Sequence, residues 1–131
     1  MKRRAILVDR SKHNTTLIMV DLQNAKEILP YIMIDGVDKE FKEIRDILKD
    51  NLRNKEKYRK ADVSDKAKNM YEMRFIRSGR NDRIYCQEIN ICGKRIILMV
   101  ELFLSKKSQD IQKKIKTRIE TMGGYEYELE Y

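Results

Sequence analysis

An α+β domain, with a small antiparallel sheet of about three to five strands and N-terminal helices and a C-terminal helix packed on it, is predicted by three observations. Residues 38–52 place apolar side chains at helical spacing, residues 71–87 switch to period two, and residues 95–104 form a nearly unbroken apolar run. Its 131 residues bound the chain to a single domain, 1–131. With 41% hydrophobic residues, five Gly and one Pro, the composition argues against disorder.

The elements follow in order. Residues 4–9 and 15–22 are β-branched and apolar runs split by a polar turn, a hairpin pattern. Ala25 to Ile32 reads as a short helix broken or kinked by Pro30. Asp38 is the expected N-cap of a helix whose stripe is Phe41, Ile44, Ile47, Leu48 and Leu52. Residues 54–69 are polar with little to bury, and read as a mobile connection with a helical turn near Ser64 to Lys68. In the next strand Tyr71, Met73 and Phe75 share one face, with Glu72 and Arg74 on the other. A two-residue turn with Gly79 first predicts the pairs Phe75 with Ile84, Met73 with Cys86 and Arg74 with Tyr85. A bulge near Gln87-Glu88 is expected from the parity of Ile89 and Ile91. A turn at Cys92-Gly93-Lys94 leads into the apolar run, read as a central strand. The last helix is capped by Ser108, carries Ile111, Ile115, Ile119 and Met122 on one stripe, and ends at Gly123-Gly124.

Several function classes drop out. Lys2-Arg3-Arg4 resembles the start of a secretory signal, but the apolar run Ala5 to Val8 is cut off by Asp9-Arg10, short of the roughly 7–15 residues a signal needs. No segment approaches the ~20 apolar residues of a membrane span, so a cytoplasmic protein without membrane contact is expected. Cys86 and Cys92 would lie about 20 Å apart on one strand, beyond disulfide reach. His13 is the one histidine, in a polar turn, so no metal and no cofactor are expected.

Charge is the functional lead. The formal net charge is +8, and residues 66–118 hold 14 Lys/Arg against 5 Asp/Glu, a local +9. A polyanion such as nucleic acid suits that surplus; a face that only keeps the protein soluble is the plainer account. The acidic residues 125–131 reverse it.

Between residues 71 and 122 a family resemblance emerges. Tyr71-Glu72-Met73-Arg74, Arg83-Ile84-Tyr85, Lys94-Arg95-Ile96-Ile97-Leu98, and Phe103-Leu104-Ser105-Lys106-Lys107-Ser108-Gln109 follow one another as in the RelE/HigB-type toxins of bacterial type II toxin–antitoxin systems, including phage-derived relatives. The match covers about fifty residues, and residues 1–14 look like an N-terminal extension to it. Met73 stands where Leu is usual, and Asn81-Asp82 replace a common Gly-x-Tyr. The resemblance implies a RelE/ParE-toxin-like fold and a metal-independent endoribonuclease, an mRNA interferase acting on mRNA on the ribosome and restrained by a cognate antitoxin protein.

Such cleavage proceeds by attack of the 2′-hydroxyl on the adjacent phosphate, and fixed cations stabilise the charge that develops on phosphorus. Arg74 and Arg83 would grip the phosphate, Lys106 or Lys107 would assist proton transfer with a pKa lowered by neighbouring cations, and Tyr85 would stack on or orient a base. Lys94 and Arg95 would add substrate contacts. Plainer roles stand beside these: Arg74 paired with Glu72 or Glu101, Tyr85 as packing, Lys106-Lys107 as a solvated corner, and Lys113, Lys114, Lys116 and Arg118 as the outer face of a helix. The competing functions are a non-catalytic module holding nucleic acid or protein on the same basic face, and a gyrase-directed toxin of the same fold.

Overall fold

A computed structural model of the chain describes residues 2–105 and 111–131. The strands are β1 (Arg3–Arg10), β2 (Thr16–Asp21), β3 (Tyr58–Lys60), β4 (Met70–Phe75), β5 (Asp82–Ile91), β6 (Lys94–Phe103) and β7 (Tyr127–Glu130). The helices are α1 (Ala25–Ile32), α2 (Val37–Lys49) and α3 (Ile111–Gly123). Among the described residues the strands join in one seven-stranded sheet, ordered β3-β4-β5-β6-β2-β1-β7. β2 runs parallel to β6 and β7 parallel to β1; the other pairs are antiparallel.

The architecture remains α+β, but the small antiparallel sheet of three to five strands is corrected to a mixed sheet of seven. Strands adjacent in sequence pair through turns and are easily foreseen. The parallel partners of β6 and β1 come from distant parts of the chain, and no local pattern announces them.

Both faces of the sheet are covered. Alternate residues of the same strand go to opposite sides. On one side Ile18, Val20, Met73, Phe75, Ile84, Ile97 and Met99 meet Ile28, Tyr31, Phe41, Ile44 and Leu48 of α1 and α2. On the other, Leu17, Met19, Tyr85, Ile96, Leu98 and Val100 lie with Ile119 and Met122 of α3. This explains the unbroken apolar run of β6: strands line both its edges and helices cover both its faces. Tyr31 stands edge-on to Phe75 at 5.3 Å and donates to Asp82 at 2.7 Å, tying α1 to the start of β5.

The first hairpin forms as expected, with a bulge at Val8 between the pairs Leu7↔Met19 and Asp9↔Ile18. α1 continues through Pro30 and ends two residues later, so the missing amide removes one bond near its end instead of breaking the helix. α2 begins after Gly36, whose φ of +89° suits glycine, and Asp38 lies inside the first turn, accepting from the amides of Gly36 and Lys39. Leu52 falls beyond the helix and is exposed.

The segment expected to be a mobile connection contains β3 and a 3-10 turn at Asp65–Ala67, where Ser64 Oγ accepts from the Lys66 amide. Tyr58 is buried there. The β4–β5 register is two residues from the expected one. It pairs Phe75↔Asp82, Arg74↔Arg83, Met73↔Ile84 and Glu72↔Tyr85. Residues 76–81 form a longer loop with Ser78 at φ +59°, and this replaces the two-residue turn. The bulge lies on β6, at Val100, between the pairs Tyr85↔Glu101 and Cys86↔Met99. β5 keeps its alternation through Ile89 because α3 gives the second face an apolar cover.

Cys92 and Gly93, at φ +51° and +76°, make the β5–β6 turn type I′. Asparagine tolerates that first position far better than cysteine. Cys92→Asn is therefore expected to raise stability by a few tenths to about 1 kcal/mol in denaturant titrations. No helix among the described residues is long and apolar enough to cross a membrane.

Candidate functional site

The site is set by the β3–β4–β5 ladder. Met73, Phe75 and Ile84 point under α1 and α2, so Glu72, Arg74, Arg83 and Tyr85 project from the opposite face. The observed register sets Arg74 directly opposite Arg83. β3 adds Arg59, opposite Glu72.

Glu72 is the local counter-charge, with 5% of its side chain exposed. It accepts from Arg59 Nε at 2.7 Å and from Arg83 Nη1 at 3.4 Å. Arg74 is less committed. Among the described residues its Nη1 reaches only the Glu56 carbonyl at 3.5 Å, and its buried Nε has no partner. Arg59 and Arg83 thus share one carboxylate, and Arg83 faces Arg74 across the ladder, an opposition of like charges that costs stability unless an anion relieves it. Glu101, the other acid expected to pair with Arg74, is held instead by Arg118 of α3, whose Nε lies 3.1 Å away.

Tyr85 is brought to this cluster as its floor. It is 3% exposed and stands edge-on to Phe103 at 5.0 Å, so its ring offers no open face to a base. Burial pushes its phenol above the usual tyrosine value, while Arg83 pulls the other way.

Lys94 and Arg95 are not brought together with these residues. They begin β6, and Arg83 pairs with Phe103 at its other end, roughly 25 Å along the strand. Lys94 Nζ lies 5.1 Å from the centre of the Tyr131 ring. Arg95 makes two bonds to Glu88, at 2.9 and 3.2 Å. Lys106, Lys107 and the Ser108 cap lie outside the described residues. Ser105, the last described residue before them, donates its amide to Asp82, the neighbour of Arg83.

Two residues escaped the sequence reading. Arg59 lies in a three-residue strand amid polar neighbours, where periodicity has too little length to register. Glu40, on α2, is a charged residue beside an apolar stripe and reads as surface, yet it is 1% exposed.

At the Arg95 end, Tyr58 stacks on Tyr71 at 5.3 Å and donates to Glu88 at 2.6 Å. Burial first, then nearby negative groups, raise the Tyr58 phenol well above its usual value of about 10. A raised folded-state value leaves stability intact below pH 10 and removes it as pH rises further, by about 1.4 kcal/mol per pH unit. Denaturant titrations between pH 9 and 11 should show this fall on top of that from the other raised tyrosines, and Tyr58→Phe should make it shallower.

Compared with models of known families, with curated proteins and with solved structures, the chain finds no match.

Proposed function

We propose that this protein acts on RNA as an endoribonuclease of the toxin–antitoxin type, gripping the backbone phosphate between Arg74 and Arg83 in the cytoplasm. The observation that carries this reading is the direct opposition of Arg74 and Arg83 on a face where Arg59 and Arg83 share one buried carboxylate and Arg74, among the described residues, bonds only a backbone carbonyl. A phosphate seated between Arg74 and Arg83 would accept hydrogen bonds from both and remove their mutual repulsion. The order of β4, β5, β6 and α3 also supports the reading, since the motifs on which the sequence resemblance rests lie along β4, β5 and β6 and on the way into α3.

In the reaction the ribose 2′-hydroxyl attacks phosphorus and gives up its proton to solvent water, the 2′-oxygen–phosphorus bond forms, and the bond to the 5′-oxygen breaks as that oxygen takes a proton from water. Arg74 and Arg83 would stabilise the extra charge on the non-bridging oxygens. Glu72, already bonded to Arg59 and Arg83, would hold Arg83 in place and would not serve as base. Ribosome-bound mRNA is the proposed substrate, and an antitoxin protein the proposed restraint.

A second reading, a module that holds RNA without cutting it, is favoured by Tyr85. Among the described residues of the β3–β4–β5 cluster it is the one neutral proton carrier, and it is buried with a raised phenol value.

Both readings meet in one experiment. Wild-type protein induced alone should slow growth, and ribosome-engaged mRNA should be cut. Arg83→Ala should abolish cutting while lowering the salt slope of RNA binding by about one unit or less. Intact mRNA with RNA binding that persists identifies the holding module. No RNA binding by the wild-type protein defeats both.

A further inference from the structure

We infer that Glu40 is a positioning residue that fixes Arg74 for its phosphate. The inference rests on the proposed role of Arg74, and the observation behind it is a convergence of bonds. From α2, the Glu40 carboxylate accepts from Lys57 Nζ at 2.6 Å, from the Ile76 amide at 3.1 Å and from the Arg77 amide at 3.4 Å. Ile76 and Arg77 open the loop that follows β4, with only Phe75 between them and Arg74. Lys57 leads into β3, and its carbonyl accepts the Arg74 amide at 2.8 Å. The neighbouring Glu56 carbonyl is the acceptor for the Arg74 side chain.

Beyond its ladder with β5, the two segments that flank Arg74 are therefore held by one buried acid: the β3 lead-in beside it and the loop after its strand. Among the described residues the Arg74 guanidinium has no carboxylate of its own, unlike Arg59 and Arg83, so its position depends on backbone that Glu40 holds. A carboxylate can hold an ammonium and two amides at once. Glutamine at the same position keeps an acceptor for the amides and loses the charge that holds Lys57.

The test compares the wild-type chain with Glu40→Gln, at a temperature where circular dichroism shows both folded. Expected are an RNA affinity lowered about tenfold and a salt slope smaller by about one unit, the signature of one lost phosphate contact. Arg74→Ala should add less than about twofold on the Glu40→Gln background, because the contact is already gone. In the free protein, NMR relaxation should show the Arg74 Nε–H becoming mobile in Glu40→Gln while that of Arg118 is unchanged. A merely structural role would lower the melting temperature and move none of these. Folded Glu40→Gln with unchanged affinity, slope and Arg74 mobility overturns the inference, as does an Arg74→Ala effect as large as in wild type. Should Glu40→Gln not fold, Lys57→Gln carries the same measurements. Where Arg74→Ala leaves wild-type RNA affinity intact, the RNA reading of Arg74 fails, and the NMR comparison alone decides for or against Glu40.

Discussion

Glu40→Ala is expected to lower the free energy of unfolding by about 3–5 kcal/mol, read by denaturant titration with an unchanged slope. Truncation leaves the Lys57 ammonium, 11% exposed, with only the more distant Glu43 carboxylate at 3.9 Å, and strips the amides of Ile76 and Arg77 of their acceptor. The loss comes mainly from the groups left behind. Replacing both charges, as Glu40→Met with Lys57→Met, should therefore cost less than Glu40→Ala alone, because no ion stays buried. The two amides would still lack an acceptor, so the double variant should not regain the full wild-type stability.

Asp21→Ala should cost about 3 kcal/mol and act at the opposite margin of the sheet. Asp21 is fully buried and accepts from Arg3 Nε at 2.7 Å, Tyr127 Oη at 2.6 Å and the Gln23 amide at 2.8 Å. One carboxylate thereby joins β2, β1 and β7. Its removal leaves three donors unsatisfied, and amide exchange should show β7 losing protection well before β4 and β5 do. Uniform loss across the sheet would show instead that Asp21 supports the whole fold and not this margin. Tyr127 adds a pH signature, since burial and the Asp21 bond hold its phenol well above the usual value. Above pH 10 the same strand should loosen first.

The sequence carries much of this fold where pattern and environment agree. Tyr71, Met73 and Phe75 alternate with Glu72 and Arg74, and the structure keeps those faces. The partners differ because register is decided by the turn, and residues 76–81 are too polar and too permissive to specify one. Ser78 takes a left-handed conformation and lengthens the loop, and the ladder moves by two residues. A shift of two preserves every face, so Arg74 still meets Arg83 on the same side, now directly opposite.

Ile89 was harder to place because its parity suggests a slipped strand if one face is solvated. With α3 covering that face no slip is needed. β7 shows the converse difficulty. Tyr125, Tyr127 and Leu129 alternate with Glu126, Glu128 and Glu130, a strand pattern, yet the charge makes it read as an acidic tail. Glu130 is in fact bonded to Arg4 on β1, and Arg3 lies over the Tyr125 ring. The arginines of the candidate site were visible as residue types, whereas the sharing of Glu72 by Arg59 and Arg83 depends on a three-residue strand with almost no signal of its own.

The parallel pairing of β1 with β7 has a consequence in time. Arg3 finds its neighbour in Tyr127, almost the whole described chain away, and β2 must wait for β6 in the same manner. Contacts so distant in sequence are slow to close, because chain entropy must be lost before any pairing energy is gained. During synthesis β1 and β2 emerge early as a hairpin, and its two outer edges stay unpaired until β6 and β7 follow. Newly made chains thus expose strand edges able to capture one another. Refolding should be slow and concentration-sensitive, and the hairpin of residues 3–21 is where nascent chains are most exposed to aggregation.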